Sequence, residues 1–416
     1  MASFSIPLSG LASSTEALDI ISNNLANMNT VGYKGATANF QDLFYQNYGG
    51  DGAGDPIQVG AGTSIASVAT NYTNGSLQNT GVSSNAAITG NGFFVTEQAN
   101  GSVEYTRAGN FTVNSAGQLV TTDGQTVMGF PAVNGVVNQG GALSPLQVGA
   151  GLSSPPSATT ALQQQTNLNA AAPVGTTYST SLAVYDSLGE SHVLTFNYTM
   201  SAANTWSYQV TLPAADTGGT GAPTVLATGT LNFDSSGNLT SPTGSVPVNI
   251  TNLADGAADM SAAWTLTTPT GSSLITQVAS PSTTATTNQN GYVNGTLQSY
   301  SIMQDGIIQG QFSNGQTQAI GQIALASFAN NQGLQLAGGD KFRGTLASGA
   351  AVVGTAGNGG RGTLTGGAVE LSNVDISTEF TNLIVVQRAF EADSRVVTTF
   401  DSISNQTINL QASPGN

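Results

Sequence analysis

Residues 19–34, DIISNNLANMNTVGYK, begin as a helix and end as a turn. Ile20, Ile21 and Leu25 keep helical spacing, while Asn23, Asn24, Asn27 and Asn29 crowd the stretch that runs into Gly32-Tyr33-Lys34. Upstream, Phe4, Leu11, Leu18 and Leu25 recur every seven residues, with Ile21 and Met28 on the adjoining row. That is the a/d seam of a helix that meets other helices. Asparagine amides compete with the helical backbone for hydrogen bonds, so the cluster is expected to bond nearby backbone and end the helix. Gly32 is expected to let the chain bend outward. Lys34 is the only basic residue among the first 106, and a carboxylate on a neighbouring chain is its expected partner. Ser13 and Glu16 have the spacing of a capping box in an early helical turn.

The C-terminal end carries a matching pattern. Ile376, Leu383, Phe390 and Val397 recur every seven residues, and a second row of Val396, Ile403 and Leu410 takes over in the last turns. Ser372 and Asp375 fit a capping box just before this helix. Arg388, Glu391 and Arg395, three and four residues apart, fit an exposed ion-pair face.

Between the two helices the chain reads as strands and tight turns. One pattern occurs three times: Phe111-x-Val113…Gly117-x-Leu119, Leu231-x-Phe233…Gly237-x-Leu239 and Tyr300-x-Ile302…Gly306-x-Ile308. Alternation on both sides of a glycine at fixed offset predicts a hairpin whose turn needs positive φ. Leu194, Phe196, Tyr198 and Met200, then Trp206, Tyr208, Val210 and Leu212, predict two further strands with one apolar face. An echo, YTNGSLQNT (72–80) against YVNGTLQSY (292–300), flanks residues 81–291 and points to one β domain built around an inserted one.

The expected architecture is therefore mainly β with terminal α-helices. The helices, residues 1–29 plus 372–416, would form a coiled-coil core domain. Residues 30–71 plus 344–371 would connect it to an inner β domain of 72–145 plus 286–343, with an outer β domain at 146–285. No other helix is visible to cover the two seams. We expect the helices to be largely unfolded in a lone monomer and to order when neighbouring chains supply the missing surface.

Composition narrows the function. The chain has 416 residues, 52 of them glycine, and only 7% are charged, against about 25% in ordinary soluble proteins. Its formal charge is −15, and no Lys or Arg occurs between Arg107 and Lys341. Such a surface would repel phosphate backbones, which disfavours nucleic acid. Cysteine is absent, which removes disulfides and thiolate chemistry. No apolar run approaches 18 residues, so no membrane insertion is expected. The first residues, MASFSIPLSGLASS, lack the basic region and continuous apolar core of a cleaved signal peptide.

Catalytic constellations are missing. His192 is the only histidine, in YDSLGESHVLTF, where it reads as an exposed or hairpin-facing residue. Asp186 and Glu190 flank the same turn and read as solvated turn carboxylates. GNGGRG (357–362) has glycines at dinucleotide-loop spacing but no helical period after it. No catalytic, cofactor-binding or metal-ligating residues are expected.

Three blocks carry a family resemblance. Residues 3–44, with SGL, NNLANMNTVGYK and the following F-Q-D, resemble the shared N-terminal signature of flagellar rod, hook and junction proteins. ITGNGFFV (88–95) and YTRAGNFTVNSAGQLVTTDGQTVMGF (105–130) resemble the next block of that family, and residues 370–410 its C-terminal signature. Residues 184–196 and 291–335 are similar to segments of its hook branch. Asn23, Asn24, Asn27, Gly32, Tyr33 and Lys34 fall on the family's N-terminal motif.

The resemblance implies a bacterial extracellular polymer, exported unfolded through the flagellar type III apparatus. The helices would line an inner tube and the β domains would form outer layers. The tube would pass motor torque to the filament while bending, as a universal joint. Implied partners are further copies of the chain, the distal rod protein, the hook–filament junction protein, the hook cap (scaffolding) protein and the hook-length control protein. Outer surfaces almost free of cations are expected to slide past neighbours without salt bridges locking one register. Two readings stand beside this one: a long distal-rod variant, straight and rigid, and, from another class, a secreted β-rich adhesin or carbohydrate-binding module.

Overall fold

Two helices, Ser5–Ala26 (α1) and Ile376–Gln411 (α2), bracket a chain made otherwise of short strands and turns. The computed structural model describes residues 5–50, 56–149 and 151–411. Within it the fold is mainly β with a helix at either end, as the heptads and alternating segments predict. The chain divides into two units. One comprises Met1–Ala150, Ser299–Gly310 and Gln318–Asn416, and the other Gly151–Gln298 and Gln311–Thr317.

The three predicted hairpins close in the same way. Gly117, Gly237 and Gly306 have φ of 79°, 81° and 85°. In each, the glycine N–H bonds the carbonyl three residues earlier: Gly117 to Asn114, Gly237 to Asp234, and Gly306 to Met303. The residue after the glycine then accepts from the residue that opens the turn, as Gln118 does from Asn114. This is a type I turn followed by a left-handed residue, the arrangement that matches strand twist and needs glycine.

In the first unit the alternating positions around these turns feed one core. Phe94, Phe111, Leu119, Val127, Ile302, Ile308, Ile323 and Leu325 are buried together, with Phe94 and Phe111 edge to face at 4.9 Å. Residues 30–71, expected as connectors, contain antiparallel strands Ala36–Asp42 and Thr63–Thr70. The echoed segments do not share a place: residues 72–80 lie in the first unit and 292–298 in the second.

The second unit is two sheets on one core. A meander of Thr177–Tyr185, Ser191–Ala202, Thr205–Leu212, Thr224–Phe233 and Leu239–Ser241 forms one sheet. Ala161–Asn169 pairs in parallel with Met260–Thr265 and Ile275–Val278 in the other. Tyr198 lies opposite Tyr208, and Met200 opposite Trp206, so the two predicted apolar faces coincide. A one-residue slip would turn all of these to solvent. Trp264 joins the sheets, 5.0 Å from Phe196 and 5.3 Å from Tyr208 between ring centroids.

The turn after Tyr185 departs from expectation. His192 is buried, not exposed, and its ring lies among the carboxylates of Asp186, Asp216 and Asp255. Burial pulls its pKa down, but hydrogen bonds to Asp216 and Asp186 outweigh that, and the ring titrates above its ordinary value. Glu190 is exposed and meets Asp186 through its backbone N–H, 2.8 Å from Oδ1.

Candidate assembly elements at the chain ends

Helices α1 and α2 pack together and run antiparallel. Asn24 near the end of α1 meets Glu379 at the start of α2, and Gly10 near the start of α1 faces Asp393. A Cβ at Gly10 would lie 2.5 Å from Asp393 Oδ2, so the glycine permits the close approach.

The buried row of α1 is not the leucine seam. Pro7, Ser14, Ala17, Ile21 and Asn24 are buried, with Gly10 half-buried, again at alternating spacings of three and four. Leu11, Leu18, Leu25 and Met28 are only half-buried. Small side chains let α2 and strand Thr63–Thr70 come close, which leaves the leucines on the flank one residue round. Ile21 alone satisfies both rows. Ser13 is not a cap: it lies mid-helix, donating to Ser9 O at 2.9 Å and facing Thr63 O at 3.3 Å.

On α2, Leu383, Phe390 and Val397 are half-buried, along with Val386 and Phe400, in a heptad row. The helix is capped by Asp375, whose Oδ1 accepts from Thr378 N at 2.7 Å. That hydrogen bond holds the Asp375 carboxyl below its usual pKa. Ser372, expected as the box residue, instead accepts from Val374 N. The rest of the apolar surface has no cover in the described residues. Ile376, Phe380 and Ile384 form an exposed stripe at i, i+4 and i+8, and Val385, at 62% exposure, lies with Val396 and Ile403 on a second flank of the helix. Arg388, Glu391 and Arg395 are exposed but form no ion pair among the described residues. Phe4 lies outside the described residues, as does the side chain of Leu410.

The asparagine cluster is wired inward. Asn24, 1% exposed, accepts from Ala36 N and donates to Ala36 O, at 2.9 and 2.7 Å. Its amide also donates to Glu379 Oε1 at 3.1 Å, and Tyr33 Oη donates to its Oδ1 at 3.2 Å. One side chain therefore ties the end of α1, the first strand and the first turn of α2. Asn23 donates to Tyr33 Oη, and Asn27 folds back on Asn23 O. Gly32 has φ 76°, and a Cβ there would stand 2.5 Å from Ala108 N.

Lys34 corrects an expectation outright: its partner is in its own chain. Nζ sits 2.6 Å from Glu370 Oε1, with both side chains fully buried, and donates to Thr73 O at 2.7 Å. Burial pushes the Lys34 pKa down, while Glu370 opposes that shift. Arg107 approaches the other Glu370 oxygen at 3.4 Å and donates to Gly90 O. Gly75 N–H completes the first oxygen at 2.8 Å. The partner residues Glu370, Arg107 and Asn373, whose amide binds Gly35 N and Asn71 O, escaped the sequence reading. Their pairing spans as many as 338 residues, and no local periodicity records it.

Four stretches match family models of flagellar axial proteins. Residues 6–34 match the flagella basal body rod protein model, and 87–160 the flagellar hook protein FlgE/F/G D1 domain. Residues 152–292 match the flagellar basal body protein FlaE D2 domain, and 365–410 the flagellar basal body rod FlgEFG protein C-terminal model. The flagellar hook protein FlgE of Salmonella typhimurium is 38% identical over 98% of this chain and 100% of its own. The chain belongs to the flagellar hook protein family. The Escherichia coli hook protein FlgE is 36% identical over the same shares, and that of Treponema pallidum 34% over 97% of this chain and 98% of its own. The buried knot of Asn24, Lys34, Arg107 and Glu370 thus lies on matched segments: the rod model at 6–34, the hook D1 model and the C-terminal model.

Proposed function

We propose that the chain is the structural subunit of the bacterial flagellar hook, outside the cell, and that its terminal helices build the inner tube by packing against further copies. The observation that carries this is the uncovered apolar stripe of α2, Ile376, Phe380 and Ile384, on a helix that already packs on α1. Contiguous exposed apolar surface of this kind marks protein contacts. The leucine row of α1, Leu11, Leu18 and Leu25, half-buried and adjacent, would add to the same contacts. The β units would form the outer layers, with the expected boundaries of 72–145 plus 286–343 and 146–285 shifted so that 286–298 and 311–317 join the second unit.

As a hook subunit the polymer bends while it transmits torque from rod to filament, and no chemistry is asked of it. Its neighbours would be the distal rod protein at one end and the junction protein at the other, with the cap and length-control proteins acting during export and growth. Polymerising the full-length protein and a version lacking both helices tests the reading. Curved tubes from the full chain only, seen by electron microscopy, are the expected result. Straight rigid tubes would favour a distal-rod role, and ligand binding by the truncated β part without assembly would favour an adhesin.

A further inference from the structure

The second unit contains a cluster of one histidine and three aspartates. His192 Nδ1 lies 3.1 Å from Asp216 Oδ2. Its Nε2 faces Asp186 Oδ2 at 3.3 Å and Asp255 Oδ2 at 3.6 Å. The three atoms on the Nε2 side lie within 4.8 Å of one another.

The two carboxylates on the Nε2 side are each fixed by the other oxygen. Asp186 Oδ1 accepts from the backbone N–H groups of Leu188 and Glu190, at 2.9 and 2.8 Å. Asp255 Oδ1 accepts from Ala257 N at 2.9 Å. Ala254 N donates to Asp216 O at 2.8 Å, which joins the segment bearing Asp216 to the loop bearing Asp255. Asp186 and His192 are buried, while the Asp255 side chain keeps 27% of its exposure and opens the cluster to solvent.

We propose that His192 Nε2, Asp186 Oδ2 and Asp255 Oδ2 form a binding site for a zinc-like divalent cation, with Asp216 orienting the ring. The distances suit a metal site. A charged N–H···O⁻ contact closes to about 2.7–2.9 Å; all three ring contacts are longer, the two on Nε2 most so. Two ligands bound about 2.1 Å from a tetrahedral centre stand about 3.4 Å apart, and both contacts bracket that value. The Nδ1–Asp216 contact has hydrogen-bond length, and a carboxylate on the second ring nitrogen is the usual support of a metal-bound histidine. One imidazole and two carboxylates, with a water in the fourth place, suit zinc better than the all-oxygen shells of calcium or magnesium.

Charge points the same way. Three carboxylates surround the ring and no Lys or Arg is paired with them among the described residues, so a dication would offset two of their negative charges. On binding, Nε2 gives its lone pair to the cation, any proton it carries going to solvent, while Nδ1–H stays on Asp216. The cation would pin the 186–190 turn to the 251–259 loop.

Zinc chloride titrated calorimetrically into chelator-treated full-length protein at neutral pH tests the site. One equivalent is expected to bind and, at about a hundredfold excess over Kd, to raise the melting transition by about 5–10 °C. His192→Gln should abolish that binding. Asp216→Asn should weaken it about 10–100-fold without changing stoichiometry. Cobalt(II) added to the unaltered protein should give the intense visible absorption of a tetrahedral site, which needs no variant to fold. The proposal is overturned if no saturable zinc binding occurs, if binding survives His192→Gln, or if calcium or magnesium binds as tightly.

Discussion

Glu370 Oε1 lies 2.6 Å from Lys34 Nζ with neither side chain exposed, although 336 residues separate them. Arg107 shares the carboxylate at 3.4 Å, so one anion compensates two buried cations. Removing one partner of a buried pair costs about 3–5 kcal/mol, because the other charge is left without water or counter-ion. Lys34→Met should fall near the lower end, since Arg107 and Gly75 N–H still serve Glu370. Glu370→Gln should cost more, as it leaves Lys34 and Arg107 together without an anion. Urea unfolding of both variants checks the order; equal or reversed losses would contradict the shared-anion reading.

Gly32 has φ 76° and a Cβ there would meet Ala108 N at 2.5 Å. Gly32→Ala should destabilise by about 1–3 kcal/mol from the backbone alone, with the clash added. Gly81, at φ 68° with no atom within 4 Å of a Cβ, supplies the comparison, and Gly81→Ala should cost distinctly less. Thermal melts of the pair separate strain from contact.

Ile384 is 50% exposed on α2, and Leu383, one position earlier, is half-buried. Ile384→Asp should leave monomer stability within about 0.5 kcal/mol. It should raise the concentration needed for polymerisation about tenfold or more, on the order of 1.4 kcal/mol per lost contact. Leu383→Ala should instead weaken the α1–α2 pairing itself. Sedimentation of polymers alongside circular dichroism reads both effects.

Glu104 is buried, with Oε1 accepting from Arg343 Nε and Nη2 at 2.8 and 2.6 Å and Oε2 from Gln125 at 2.7 Å. Burial raises its pKa, but the bonds from Gln125, Gln98 and Arg343 prevail and the net shift is downward from 4.5. A depressed carboxyl stabilises the fold above its unfolded pKa, and that contribution is lost as pH falls through the folded value. Stability should therefore decline as pH drops below about 4.5, and Glu104→Gln should flatten the decline. An unchanged acid slope in the variant would remove Glu104 from the account.

Much of the fold is legible in local pattern. Heptads at both ends produce helices, and glycine at a fixed offset produces three hairpins of one type with φ near 80° at Gly117, Gly237 and Gly306. The apolar alternation of 194–200 and 206–212 sets two strands in register around Trp264. These features repeat every two or seven residues, or turn on one glycine's φ, so a short window suffices to read them. The family signatures are equally local, since they occupy continuous stretches.

What the tertiary structure alone decided is which partner each polar group takes. The leucine row of α1 promised the buried face, but Gly10, Ser14 and Ala17 took it, because small residues admit the second helix more closely. Lys34 was expected to reach another chain and instead closes on Glu370. His192 was expected to be exposed or to face its hairpin, and it lies buried among three aspartates from three separate segments. A buried charge is satisfied by whatever opposite charge the fold delivers within about 4 Å, and sequence spacing does not encode that distance. The stretch at residues 19–34 therefore determined by itself that a helix stops there. Only the folded chain determined that its asparagines and lysine bind the two ends of the protein to each other.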